Sequence, residues 1–337
     1  MKKIFNLIAS FVLLAGFSAC NKDGSDKPGL PPAPVPTVNY KGLTFISSGK
    51  SSVCLAKVGA PDEITLEYST DESQWNPYTI GEKISMADGS FLLFRAGEQK
   101  NLTFSKGSDS YYHFEISGPV TAQGNIMSLL DRDFSTPLST NAFFALFEGC
   151  TSLLSAPELP ATTIEQGCYF RMFAECTGLK SAPELPAKEL AYNCYGWMFK
   201  GCSALTYVPD LPATEMVSYC YNNMFANCTS LKFAPELPAT RLDMGCYHCM
   251  FEGCTSLTSA PELPATELVS NCYEFMYKDC RNLRYVIGLF TTEPSEKTTK
   301  DWLSGVAASG TFIKSKKATW DVTSAHGVPE GWKIETW

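Results

Sequence analysis

Residues 254–279 read CTSLTSAPELPATELVSNCYEFMYKD, and residues 176–201 read CTGLKSAPELPAKELAYNCYGWMFKG. The two phrases differ by small edits, and further copies begin at Cys150, Cys202 and Cys228. One set of cysteines (150, 176, 202, 228, 254, 280) and a second (168, 194, 220, 246, 272) both advance in steps of 26 residues. A period of this size held without insertion is the mark of a solenoid, in which each coil buries its apolar side only against its neighbours.

Within one copy, Leu153, Ala156 and Leu159 form a short extended arm, which Pro157 and Pro160 close because proline cannot donate to a sheet ladder. The spacing then predicts a helix. Thr162 and Glu165 make a capping-box pattern, and Ile164, Cys168 and Met172 mark one face at i, i+4 and i+8, widened by Tyr169 and Phe173. Gly149, Gly201, Asn227 and Gly253 tolerate the left-handed conformation that ends a helix, so Glu175 at the same place is expected to be strained. The expected fold class is thus an α/β leucine-rich-repeat-like solenoid, a short strand plus a helix per coil.

Outward from the array, the chain divides into further segments. Residues 1–19 have a basic start (Lys2, Lys3), an apolar run and small residues before Cys20, the pattern of a signal peptide. Ending it at a cysteine resembles the lipobox of bacterial lipoproteins, which implies lipidation at Cys20 and a membrane anchor; cleavage near Ala19 as an ordinary secretory signal is the alternative. Residues 20–38 are polar and then Pro-rich, a stalk that cannot form a core. The acidic motif after Cys20 resembles the export signals of surface lipoproteins in Bacteroides and its relatives. That implies the outer membrane and cell surface, with a periplasm-facing anchor as the alternative. Residues 39–123 alternate apolar and polar positions between turn signals and read as a β-sandwich-like domain. The solenoid covers residues 124–305, with a worn copy at each end, and residues 306–337 (Phe312, Trp320, Trp332, Trp337) read as a small β cap.

The phrase Met198-Phe199-x-Gly201-Cys202-x-x-Leu205 and the close Trp302-Leu303-Ser304-Gly305 with Pro329-Glu330-Gly331-Trp332 resemble BspA-type leucine-rich-repeat surface lipoproteins of Bacteroides-like bacteria. The resemblance covers about residues 124–337. It implies surface exposure and, in some members, adhesion to host or matrix proteins. It carries no catalytic motif, so it transfers no residue roles.

Removing residues 1–19 leaves 25 basic against 35 acidic residues, a formal charge of −10. An acidic chain without a basic run does not suit nucleic acid. The three histidines (His113, His248, His326) are scattered and no nucleophile, zinc or phosphate-loop phrase occurs, so no enzyme and no cofactor is expected. The cysteines admit two readings, ladders of buried free thiols or bridges between the sets such as Cys150 to Cys168; no cysteine pair has short zinc-ligand spacing. Cys249 lies outside both sets and is a candidate reactive thiol. Glu158, Glu184, Asp210, Glu236 and Glu262 form an acidic column, a solvated rim or a site for a hard cation.

One arm column varies from copy to copy: Ser155, Ser181, Tyr207, Phe233, Ser259 and Tyr285, with Lys180, Lys232 and Arg284 among the preceding residues. Leu205 and its equivalents should point inward, which turns this column outward. Tyr207, Phe233, Tyr285, Lys232 and Arg284 are therefore the candidate ligand-binding residues, for a protein or a glycan. Trp197, Phe170 and Phe275 are a second candidate set. The expected function is adhesion or ligand capture at the cell surface; a non-catalytic structural spacer of the envelope is the alternative.

Overall fold

The structure is a computed structural model that describes residues 41–99, 102–322 and 327–337. The chain divides into two units, Met1–Val38 and Asn39–Trp337, and the described residues belong to the second. The expected leader, the stalk and Cys20 lie outside them.

Two β-layers form first. Strands β1 (Thr44–Ser47), β3 (Leu66–Ser69), β4 (Asn76–Tyr78), β6 (Phe91–Ala96) and β9 (Val120–Gln123) pair antiparallel in the order β9-β1-β6-β3-β4. Strands β2 (Ser51–Val58), β5 (Lys83–Met86), β7 (Ser105–Gly107) and β8 (Ser110–Ser117) pair in the order β5-β2-β8-β7. Phe45 and Phe94 of the first layer meet Phe114 of the second at ring-centroid distances of 5.1 and 5.6 Å. The alternation seen in the sequence puts these rings on the inner faces.

The repeats overturn the helical expectation. No helix follows the arm in any coil; the one helical stretch among the described residues is a 3-10 turn at Ile126–Leu129. The fold is all-β, not an α/β leucine-rich-repeat-like array. Where a helix was expected, the backbone makes overlapping four-residue turns. Cys168, Phe170, Met172, Ala174 and Cys176 donate their N–H groups to the carbonyl three residues back, at 2.9–3.2 Å. The alternate residues Gly167, Tyr169, Arg171, Phe173 and Glu175 donate instead to the next coil, to Tyr192, Cys194, Gly196, Met198 and Lys200 at 2.7–3.1 Å. A helix would send every one of these donors four residues back along its own chain. Here half of them stitch coil to coil, and the same alternation recurs in later coils.

Such a turn ladder requires a left-handed residue at every fourth position. Gly167, Arg171 and Glu175 have φ of +60°, +59° and +61°; Asn193, Trp197 and Gly201 have +56°, +60° and +75°. The apolar residues at i, i+4 and i+8 therefore do share a face, with Ile164, Cys168 and Met172 all buried, but their period is four and not 3.6. Glu165 contributes through its backbone carbonyl, which accepts from Cys168 N–H, instead of capping a helix.

Stacking aligns equivalent side chains in rows. Phe147, Phe173, Phe199, Phe225, Phe251 and Tyr277 stack ring on ring at 5.3–5.7 Å. Tyr169, Tyr195, Tyr221, Tyr247 and Tyr273 make a second stack at 5.7–6.0 Å. The thirteen cysteines among the described residues are buried and unbridged. In the first set each thiol donates to a phenylalanine carbonyl, 29 residues earlier for Cys176 and its successors, as Cys202 does to Phe173 at 3.1 Å and Cys228 to Phe199 at 3.1 Å. For Cys150 the acceptor lies 36 residues earlier, at Phe114.

Both ends of the array are continuous with sheets. Strand β10 (Leu153–Ser155), the first arm, pairs parallel with β9. The last arms, β11 (Ser259–Leu263) and β12 (Tyr285–Gly288), continue into β13 (Thr311–Lys314) and β14 (Lys333–Thr336) as a parallel four-stranded sheet. Between them the arms touch through isolated bridges such as Ser181–Tyr207 and Phe233–Ser259. The prolines of each arm withhold the donors that a full ladder needs.

Candidate binding face

The variable column of the arms is one surface row. Bridges and strand pairing set Ser181 beside Tyr207, and Phe233, Ser259, Tyr285, Thr311 and Lys333 in line. Leu205 and Leu231 are fully buried while Tyr207 and Phe233, two residues on, are exposed, so the arm departs here from the alternation of a regular strand, in which i and i+2 would share a face. Phe233 is 70% exposed and Tyr207 56%, and they occupy the same place in consecutive coils. Lys232 and Arg284 are exposed beside the column. Tyr285 departs from the other two. Strand β13 covers its flank and leaves it half-buried; that burial, with the Glu335 carboxylate nearby, pushes its phenol above the ordinary range.

The acidic column runs along the same face. Glu158, Glu184, Asp210 and Glu236 are exposed, while Glu262 is half-buried and its carboxyl is raised, first by burial and then by the neighbouring Glu236. Among the described residues no three His, Cys, Asp or Glu side chains gather as a metal-holding group.

The turn side carries the second candidate set, and its aromatics are already engaged. Trp197 lies under Lys200 at 3.9 Å and beside Arg171 at 5.6 Å, and Arg171 is itself paired with Glu148. Phe170 stacks on Phe144 at 5.6 Å, and Phe275 is flanked by Lys278 at 5.1 Å and Lys300 at 5.6 Å. All three aromatics are half-buried. The sequence reading missed Tyr192 and Met244, which are 46% and 42% exposed where the arm passes into the turns. Each is one residue before a left-handed position, a signal visible only once the turn period is known.

Cys249 is not poised for reaction. It is buried, and burial together with the Glu252 and Glu274 carboxylates pushes its thiol well above the ordinary range. His248, 3.8 Å away, has its own pKa lowered by burial, against the pull of the same acids. A thiolate needs the opposite surroundings. A cavity of about 300 Å³ opens beside β5 and β6, lined by Ile84, Met86, Phe91 and Leu92 among others, and holds no charged side chain for acid–base work.

Comparison with protein-family models, with curated proteins and with solved structures finds no match to this chain.

Proposed function

We propose that the protein is a non-catalytic, lipid-anchored surface protein whose stacked arms capture a protein or glycan ligand. One observation carries the reading. Phe233 and Tyr207, 70% and 56% exposed, stand side by side on a backbone held rigid by coil-to-coil bonding. Large aromatics are the usual anchors of recognition surfaces, and rigidity lowers the entropy lost on binding. Lys232 and Arg284 supply charged contacts at the margin of the aromatic pair, where they act on encounter and orientation. The BspA-type resemblance and the cysteine that closes the leader support anchorage at Cys20 and display on the outer membrane.

The test uses soluble residues 39–337 in pull-down and glycan-array screens beside a Tyr207→Ala/Phe233→Ala variant. Loss of binding in the variant is expected. Binding unchanged in the variant would remove this face, and no binding by either protein would favour the envelope spacer. For the anchor, Cys20→Ser should move the full chain from the detergent phase to the aqueous phase in a phase-partition assay.

A further inference from the structure

Resting on the capture reading above, the geometry points, we infer, to one ligand class: an uncharged, extended β-1,4-linked polysaccharide lying along the array axis, its sugar rings over Tyr207 and Phe233.

The first ground is spacing. The coils bond as parallel chains, with Ala182 N–H donating to Tyr207 O at 3.1 Å and Thr206 N–H to Lys180 O at 3.0 Å. Such bonding sets neighbouring backbones about 4.8 Å apart, close to the advance of one ring in a fully extended 1,4-linked sugar chain. Aromatics at the same place in consecutive coils thus fall in step with consecutive sugars. A pyranose offers an apolar face of C–H groups, which suits an exposed phenyl ring better than a purely polar surface would.

Charge is the second ground. Lys180, Lys232 and Arg284 line the arm just before the aromatic column, and Glu184, Asp210 and Glu236 line it three residues after. A polymer of either sign would be attracted by one row and repelled by the other. A polyol presents donors and acceptors on every unit and no net charge, so the carboxylates accept from its hydroxyls while the ammonium groups donate to them.

The third ground excludes an added peptide strand. Strand addition needs an open edge with unpaired backbone groups. The arms at Tyr207 and Phe233 are consecutive and lie inside the stack, the first bridged to the arm of Ser181 on one side and the second to the arm of Ser259 on the other, so neither is an outer edge. Recognition here must work through side chains alone.

The experiment titrates residues 39–337 by calorimetry with cellohexaose, with maltohexaose, which has the same composition but a curled chain, and with a hexagalacturonate as the charged control. Cellohexaose should bind, maltohexaose should bind at least about tenfold more weakly, and raising NaCl to about 0.5 M should leave the affinity unchanged. Phe233→Ala and Tyr207→Ala should each weaken cellohexaose by about tenfold. Ser259→Tyr, which places an aromatic between Phe233 and Tyr285, should tighten it. No cellohexaose binding, equal binding of maltohexaose, or preference for the charged oligomer would overturn the inference. If the oligosaccharides fail while the double alanine variant still loses capture of a protein ligand, the ligand class falls and the binding face stands. If cellohexaose binds the double variant at full strength, the face falls as well.

Discussion

Glycine and alanine placed at position 223 should rank in opposite orders on a turn ladder and on a helix. Asn223 has φ of +53°, is half-buried, and donates its N–H to His248 O of the next coil at 2.8 Å. A residue with a Cβ held in that conformation costs about 1–2 kcal/mol, which glycine avoids. Glycine gives back about 0.5–1 kcal/mol through the greater freedom of the unfolded chain. The glycine variant is therefore expected to be about 0.5–1 kcal/mol more stable than the alanine variant, with asparagine between them. In a helix interior alanine would win by about 1 kcal/mol. The two backbones thus differ by nearly 2 kcal/mol in the measured gap, well above the error of a urea midpoint. The assay is urea unfolding of residues 39–337 followed by circular dichroism, repeated at Asn271, which has φ of +57° and also falls inside the helix expected from the sequence. Alanine as stable as glycine at both positions would refute the turn ladder.

Two further outcomes follow from the same packing. Leu205 is fully buried, so Leu205→Asp places an unpaired carboxylate in the core at a cost of several kcal/mol; the cooperative melt should be lost, and a melting curve like that of the wild type would contradict the inward assignment. Burial pushes the Cys150, Cys194 and Cys280 thiols up to about 12 and Cys272 to about 11, from an ordinary value of 9.0. The unfolded chain releases these protons above pH 9 and the folded chain does not. Stability should therefore be full below pH 9 and fall as the pH rises towards 12, by about 1.4 kcal/mol per thiol per pH unit. A urea midpoint unchanged between pH 8 and pH 10.5 would refute the buried ladders.

The repeat length and the rows it creates were legible in the sequence, because an invariant spacing constrains every coil alike. The local backbone was not. Residues at i, i+4 and i+8 drift by about 40° per step on a helix, which is tolerable over two steps, so Ile164, Cys168 and Met172 fit a helical face and a four-residue turn period alike. The distinguishing signal was a left-handed former at the first and third turn positions, as in Gly167, Asn193, Gly245 and Asn271, then Gly149, Gly201, Asn227 and Gly253. At the middle position Asn223 is a usual left-handed residue, but the other coils use Arg171, Trp197, Cys249 and Phe275, all at positive φ and none of them usual there, which hid the period. Of the binding face, the variable column itself could be read from the repeat, although the inward leucines two residues earlier do not fix its direction, because i and i+2 share a face in a regular strand. The half-burial of Tyr285 could not, because it depends on β13 arriving from a distant stretch of the chain.

The thiol bonds explain how the array begins. A coil in such a stack gains stability mainly from its neighbours, so the first and last coils each lack one interface and something else must supply it. At the start the supplier is Phe114 of β8. Its ring stacks on Phe147 at 5.2 Å, its carbonyl accepts the Cys150 thiol at 3.0 Å, and its N–H donates to Leu146 O at 2.7 Å. These are the contacts that each phenylalanine of the row makes to the next coil, delivered by a strand with no repeat sequence of its own. At the far end Trp302 continues the tyrosine row against Tyr273 at 6.4 Å, and Phe290 and Trp320 stack at 5.6 Å beneath β13. The β-layers and the closing sheet thus complete the rows that the coils begin. The row of arms is closed by a sheet at each end, by β9 at the start and by β13 and β14 at the finish.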